Sequence, residues 1–383
     1  MGVFRPGIDV LLGRRRRRLP SGARVGLVSH LAAVDRRGAT TAERLWLCRD
    51  CRLTALFGPE HGFAGAAGAG DRVGHSRHPV WDVPVYSLYG TSQRPTPEQL
   101  RDLDVLVFDL QDLGARPYTY VSTLRGVLEA AAAAGLPVIV ADRPIPLPHT
   151  VDGPMPDGSC DSFVCAVPAP MAYCMTPGET ALWLRNKLGL NSDVRVATMA
   201  GYHRQPGRDA DWPPWLPPSP GMRSWETARC YLATVFGEAL PAVDTGRGTN
   251  LIFQVFGAPW MQSVPVLEWL LRQRLPGVMF YAHPYQSAST GRLLDGIRIV
   301  VQNPRTFRPV TTSIAILECL QRLYGAARIW RAKSARPDFF DKLYGTPKPR
   351  IQLQQGGDWK TISAGWRADL RRFNSERREF LLY

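Results

Sequence analysis

The chain has 383 residues, 45% hydrophobic and 21% charged, which supports a core large enough for two domains and excludes a disordered or low-complexity class. No apolar run reaches the length of a membrane span, which argues against a membrane as a partner. The net charge of +14 favours an acidic partner. No helix-turn-helix, RNP or zinc-finger pattern accompanies the run Arg14 to Arg18, so a nucleic acid is not expected.

The opening MGVFRPGIDVLLGRRRRRLP carries its charges after a short apolar stretch, the reverse of an export signal, and a cytoplasmic location is expected. Arg24 to His30 reads as a strand, Thr41 to Cys48 as a helix, and Leu53 to Phe57 as a second strand running into Gly58-Pro-Glu-His-Gly62. Val83 to Leu88 is extended. Thr96 caps a helix with Pro97 at its first position. Val105 to Asp109 is a strand covered on both faces, Val121 to Ala134 an alanine-rich helix stopped by Gly135, and Pro137 to Asp142 the next strand. Thr176, with Glu179 three residues on, opens a further helix. This alternation predicts a parallel sheet with helices on both faces. Five prolines between Trp212 and Gly221 preclude regular structure and mark a boundary: residues 1–212 form one domain, 213–225 a linker and 226–383 a second domain. That second domain mixes a strand at Gly296 to Val301 with helices at Val310 to Leu323 and Thr361 to Phe373.

Seven cysteines are scattered, and the one CxxC, Cys48 and Cys51, lies late in a helix without a second pair, so free thiols are expected and no metal site. A phosphate loop and a glycine-rich dinucleotide fingerprint are both missing, and no cofactor is expected.

Ligands of open parallel sheets bind beyond the carboxyl ends of the strands. Three such ends carry polar loops: Glu60 and His61 between glycines; Asp109, Gln111, Asp112, Arg116, Tyr118 and Tyr120; and Asp142 with Arg143. Asp112, beyond its strand end, is a candidate base. Asp109 either serves a ligand or pairs with Arg116 or Arg143 to hold the loop, and Tyr118 and Tyr120 either fill the core or line a pocket. Asp142 and Arg143 before a proline suit a rigid corner. In the second half, Gly246-Arg-Gly-Thr249 lets the backbone approach a ligand while Arg247 meets an anion.

Leu56-Phe-Gly-Pro-Glu-His-Gly62, Pro84-Val-Tyr-Ser-Leu-Tyr-Gly90, Val107 to Arg116, Tyr118 to Thr123, Asp142-Arg-Pro144, Pro217-Pro-Ser-Pro220, Gly246-Arg-Gly-Thr249, Gly257-Ala-Pro-Trp260 and the closing Phe380-Leu-Leu-Tyr383 occur in order along the chain. Together they resemble the exo-β-N-acetylmuramidase family, formerly a domain of unknown function. The resemblance implies an α/β protein: a Rossmann-like parallel-sheet N-terminal domain, a smaller α/β C-terminal domain and a site between them, with Glu60 at the catalytic position. Polar positions depart from the family pattern: Thr245 replaces a Glu before Gly-Arg-Gly-Thr, Gly237 to Asp244 replaces Glu-Gly-Thr-Asn with a length change, and Tyr173-Cys174 replaces His-Gly.

A kept scaffold with altered polar positions resembles, within this family, the aziridine-forming proteins of azinomycin- and ficellomycin-type biosynthesis. That resemblance implies a cyclase in which an amine displaces a sulfate on a carrier-bound amino acid, with a sulfotransferase-like partner protein and an acidic amino-group carrier protein as partners. Asp112 or Glu60 would take the amine proton; His61, Arg116 and Arg247 would meet the leaving sulfate. Asp109, Gln111, Tyr118, Tyr120 and Arg143 would complete the binding surface. The alternatives are hydrolysis of a terminal N-acetylmuramic acid by two carboxyls and, in a different class, a non-catalytic scaffold that stabilises a partner.

Overall fold

A computed structural model describes residues 3–13, 19–204 and 212–383; the run Arg14 to Arg18 lies outside the described residues. The first half builds a sheet from β1 (Ala23–Ser29), β2 (Cys51–Gly58), β3 (Ser76–Arg77), β4 (Pro84–Ser87), β5 (Val105–Asp109), β6 (Val138–Ala141) and β7 (Val194–Ala197). Their order is β3-β4-β2-β1-β5-β6-β7. Every neighbouring pair is parallel except the short edge β3 against β4. The alternating apolar side chains explain why both faces need cover. Val105 and Val107 pack with Ile8 and Leu11 of α1 (Gly7–Leu11) and Leu45 of α2 (Thr41–Trp46). Leu106 and Phe108 face the other way, towards α4 (Tyr120–Ala134) and α5 (Pro177–Lys187), which follow the single turn of α3 (Pro97–Leu100). Capping boxes start α2, α3 and α5, and a left-handed Gly135 ends α4.

The second half carries α6 (Trp225–Thr234), β8 (Val255–Phe256), α7 (Ser263–Gln273), β9 (Val278–Gln286), β10 (Leu293–Val301) and α8 (Pro309–Tyr324). The strands form an antiparallel sheet of order β8-β10-β9. Short helices follow: α9 (Ala326–Trp330), α10 (Pro337–Tyr344), α11 (Lys348–Gln354), α12 (Trp359–Ala364) and α13 (Arg367–Arg377). One hydrophobic core runs from Phe108 and Tyr120 through Phe236 and Phe256 to Ile316, so the two halves are packed as one body. Asp152 reinforces the junction by accepting the amide and hydroxyl of Thr311 in the first turn of α8, both at 2.8 Å.

Three sequence expectations change. The helix expected to reach Cys48 stops at Trp46, and Cys51 already belongs to β2, where its side chain is buried in the sheet. The helix expected over Thr361 to Phe373 is interrupted at Gly365 and Trp366 and becomes α12 and α13. The strand expected from Gly296 starts at Leu293, because pairing with β9 extends it. Among the described residues no group of three His, Cys, Asp or Glu could hold a metal ion, and no helix is long and apolar enough to cross a membrane.

Asp109, at the end of β5, is fully buried and settles the choice left open by the sequence. It accepts the Arg143 guanidinium on both oxygens (Nη2 at 2.9 Å) and the Thr41 hydroxyl at 2.5 Å. Arg143 also donates to the Val34 carbonyl at 3.0 Å. One ion pair therefore ties the ends of β5 and β6 to the β1–α2 loop and to the start of α2. Asp109→Asn leaves Arg143 buried without its counter-charge. The expected loss is about 3–5 kcal/mol in urea unfolding; a loss under about 1 kcal/mol would mean that water replaces the pair.

Candidate active site

With β3 set aside, the parallel strands follow the order of a doubly wound nucleotide-fold sheet, whose direction of winding reverses between β1 and β5. The loops leaving these two strands are tied at that point: the Gln111 amide donates to His30 Nε2 at 3.1 Å. His30 was not among the sequence candidates. The strand-end rule that found Asp109 applies equally to it, since His30 directly follows β1. Burial, then the nearby Arg143 charge, push its pKa down to about 3, so it stays neutral.

Glu60 emerges one strand away, after β2. Gly58 makes this possible: a Cβ there would lie 2.4 Å from the Phe63 amide, so the loop doubles back in a space that no side chain shares. The Glu60 carboxylate accepts the Gly70 amide at 3.0 Å and the Thr119 hydroxyl at 2.5 Å. His61 adopts a left-handed backbone (φ 69°) and its Nδ1 lies 2.7 Å from the Ala67 carbonyl. A carbonyl only accepts, so Nδ1 is the donor in this bond and Nε2 is left for another partner. Tyr120 meets His30 edge-on at 5.4 Å and donates to the Pro218 carbonyl, while Tyr118 lies 4.7 Å from Tyr120 and 6.1 Å from Tyr231.

The remaining candidates do other work. The oxygens of Asp112 are occupied by the Tyr173 hydroxyl at 2.5 Å and the Leu113 amide at 2.7 Å. Burial raises its pKa to about 6 against the pull of those bonds. Gln111 spends its side-chain amide on the carbonyls of Asp112 and Pro144. Arg116 is fully buried and donates to the carbonyls of Pro154, Ala169 and, across to α10, Leu343. It welds the two halves and is not presented to a leaving group. Arg143 is committed to Asp109.

The second half contributes Glu238, which sequence reasoning missed because it sits in a single 3-10 turn, Val235–Glu238, inside the segment of changed length. Arg247 forms an ion pair with it. Asp244 organises the Gly-Arg-Gly-Thr loop by accepting the Gly246 amide at 2.7 Å, the Tyr285 hydroxyl at 2.8 Å and the Ser287 hydroxyl at 2.7 Å. Thr245 packs so close to Gly237 that a Cβ there would come within 2.5 Å of its methyl group. Tyr231 is the link between the halves: burial raises its pKa well above the usual value, and Glu238 and then Glu60 add to the rise. The Tyr231 hydroxyl donates to the Pro117 carbonyl at 3.3 Å, which ties α6 to the loop after β5.

Family models described as the N-terminal and C-terminal parts of exo-β-N-acetylmuramidase NamZ match residues 25–226 and 229–383. The chain is 35% identical over 381 residues to the peptidoglycan β-N-acetylmuramidase NamZ of Bacillus subtilis, covering 98% of this chain and 91% of that one. A crystal structure of a DUF1343 family protein from Bacteroides fragilis superposes with a TM-score of 0.91 at 30% identity, over 99% of both chains. A second from the same organism gives 0.77 at 25% identity, over 100% of this chain and 99% of that one. The chain belongs to the NamZ exo-β-N-acetylmuramidase family, a family of glycoside hydrolases.

This overturns the expectation of aziridine formation by sulfate displacement. The full-length likeness is to a peptidoglycan β-N-acetylmuramidase; of the groups assigned to the displacement, Asp112 is occupied by Tyr173 and Leu113, and Arg116 is buried with its terminal nitrogens on backbone carbonyls. The sulfotransferase-like partner and the acidic carrier were implied by that reading alone.

The buried carboxyl of Asp112 has a linked consequence. Its folded pKa, about 6, lies above its ordinary value, so its contribution is complete in acid and is lost as pH rises through 6. Asp142, raised to about 7 by burial and Glu179, acts with the same sign. Urea midpoints should fall between about pH 4 and 7, and Asp112→Asn should flatten the part of that fall below pH 6. An unchanged slope in the variant would show that Asp112 stays ionised throughout.

Proposed function

We propose that the protein is a glycoside hydrolase that removes N-acetylmuramic acid from the end of peptidoglycan-derived glycans. The observation that carries the reading is the full-length likeness to a peptidoglycan β-N-acetylmuramidase, 35% identical over 381 residues, together with a buried Glu60 at the carboxyl edge of the sheet. Most glycosidases cleave between two carboxyl groups, one protonating the leaving oxygen and the other attacking the sugar or activating water. Glu238, held by its ion pair with Arg247, is one of the two carboxyls in this reading. Glu60, which accepts the Thr119 hydroxyl and the Gly70 amide, is the other. Nε2 of His61 is left to meet a sugar hydroxyl. Arg247 keeps 55% of its side chain exposed, so it has donors left for the lactyl carboxylate that distinguishes muramic acid from N-acetylglucosamine.

The test is release of N-acetylmuramic acid from a MurNAc–GlcNAc disaccharide. Glu60→Gln and Glu238→Gln should each lower kcat by about 10²–10⁴-fold with folding unchanged. Arg247→Met should raise KM for this substrate and narrow its preference over a GlcNAc-terminated analogue. No release by folded wild-type protein, or full activity in Glu60→Gln, would sink the proposal.

A further inference from the structure

We infer that the protein carries a second ligand site, an arginine-lined recess for a phosphate-bearing molecule beside the N-terminal segment. The recess has a volume of about 790 Å³ and is lined by Arg5, Arg36, Arg37 and Arg44 together with Asp9 and Asp35. Four arginines against two aspartates give a local charge of 4 − 2 = +2 among the described residues.

The two aspartates do not neutralise the rim. Arg44 sits between them, bonded to Asp35 and 3.2 Å from Asp9. Asp35 further accepts the amides of Arg37 at 2.8 Å and Ala39 at 3.0 Å, and Asp9 accepts the Arg36 amide at 3.2 Å. Both carboxylates are thus spent on one guanidinium and on backbone. Among the described residues the guanidinium groups of Arg5, Arg36 and Arg37 have no carboxylate within ion-pair distance. These three side chains sit on exposed residues around a concave wall, where like charges raise the potential and draw in an anion.

The frame that holds them is rigid. Asp9 belongs to α1 and Arg44 to α2, and Asp35 closes the loop between β1 and α2. Arg5 is clamped by two backbone bonds to Ala200, at 2.9 and 3.0 Å, so the N-terminal segment is stitched to the chain beyond β7. Arg143, through the Val34 carbonyl, supports the same loop from beneath. Planar guanidinium forks on a fixed frame suit the several acceptor oxygens of a phosphate better than a single carboxylate. The ligand class is therefore a phosphate: a small phosphorylated molecule or one segment of a phosphodiester polymer. None of the lining residues belongs to the Glu60 cleft, and the inference does not rest on the glycosidase reading.

Calorimetric titration tests it with three probes in about 0.15 M salt, where surface charge is screened: pyrophosphate, a glycerol-phosphate oligomer and citrate. Binding of pyrophosphate or the oligomer, weakened about tenfold or more in Arg36→Gln/Arg37→Gln and unchanged in Glu60→Gln, is the expected result. Binding by pyrophosphate identifies the small-molecule source, and binding by the oligomer alone identifies the polymer. The double variant changes exposed side chains only, so its thermal unfolding should match the parent. Binding of neither phosphate probe, equal binding of citrate, or phosphate binding that survives the double substitution overturns the inference.

Discussion

The site depends on a buried ion pair that has no part in the chemistry. Asp109 and Arg143 join the ends of two adjacent strands, and through Thr41 and Val34 they fasten the segment that leaves β1. Burying two charges is costly, and attraction offsets that cost only when every donor and acceptor is met. Here the carboxylate takes both arms of the guanidinium and a hydroxyl, so the carboxyl edge of the sheet is locked. His30, Gln111 and the Glu60 loop are set against that locked edge. The arginine recess shares the same support, since its loop is held by the Arg143 bond to Val34.

The site also needs the two halves in register, and buried hydrogen bonds between them supply it. Arg116 spends its donors on three carbonyls, one of them from α10. Asp152 caps α8 from the other half. With the continuous core, these contacts leave little room for the halves to shift independently. For the proposed hydrolysis a fixed frame matters, because the distance between two carboxyls decides the outcome of glycoside cleavage.

The departures from the family pattern also acquire a physical reading. Thr245 stands where the family has a glutamate, and it packs against Gly237, immediately before Glu238. A short residue at 245 lets the 3-10 turn approach the Gly-Arg-Gly-Thr loop, and that approach lets Arg247 reach Glu238.

Much of the architecture was legible in the chain itself. The apolar run Val105 to Phe108, the capping residues Thr96 and Thr176, and Gly135 are local signals, and each operates within a few residues of where it is written. The strand-end positions of Glu60, Asp109 and Arg143 follow from the same local reading. What each of these groups does was decided only by tertiary structure. Asp109 and Arg143 lie 34 positions apart and cancel each other's charge. Arg116 is drawn 227 positions along the chain to Leu343 and away from any ligand. Glu238 meets Arg247, nine positions on, although its own segment carries no strand or motif signal. Periodicity and caps report what a residue does to its neighbours in sequence; burial and charge pairing depend on which distant groups the fold brings within 3 Å, and those neighbours are not encoded locally.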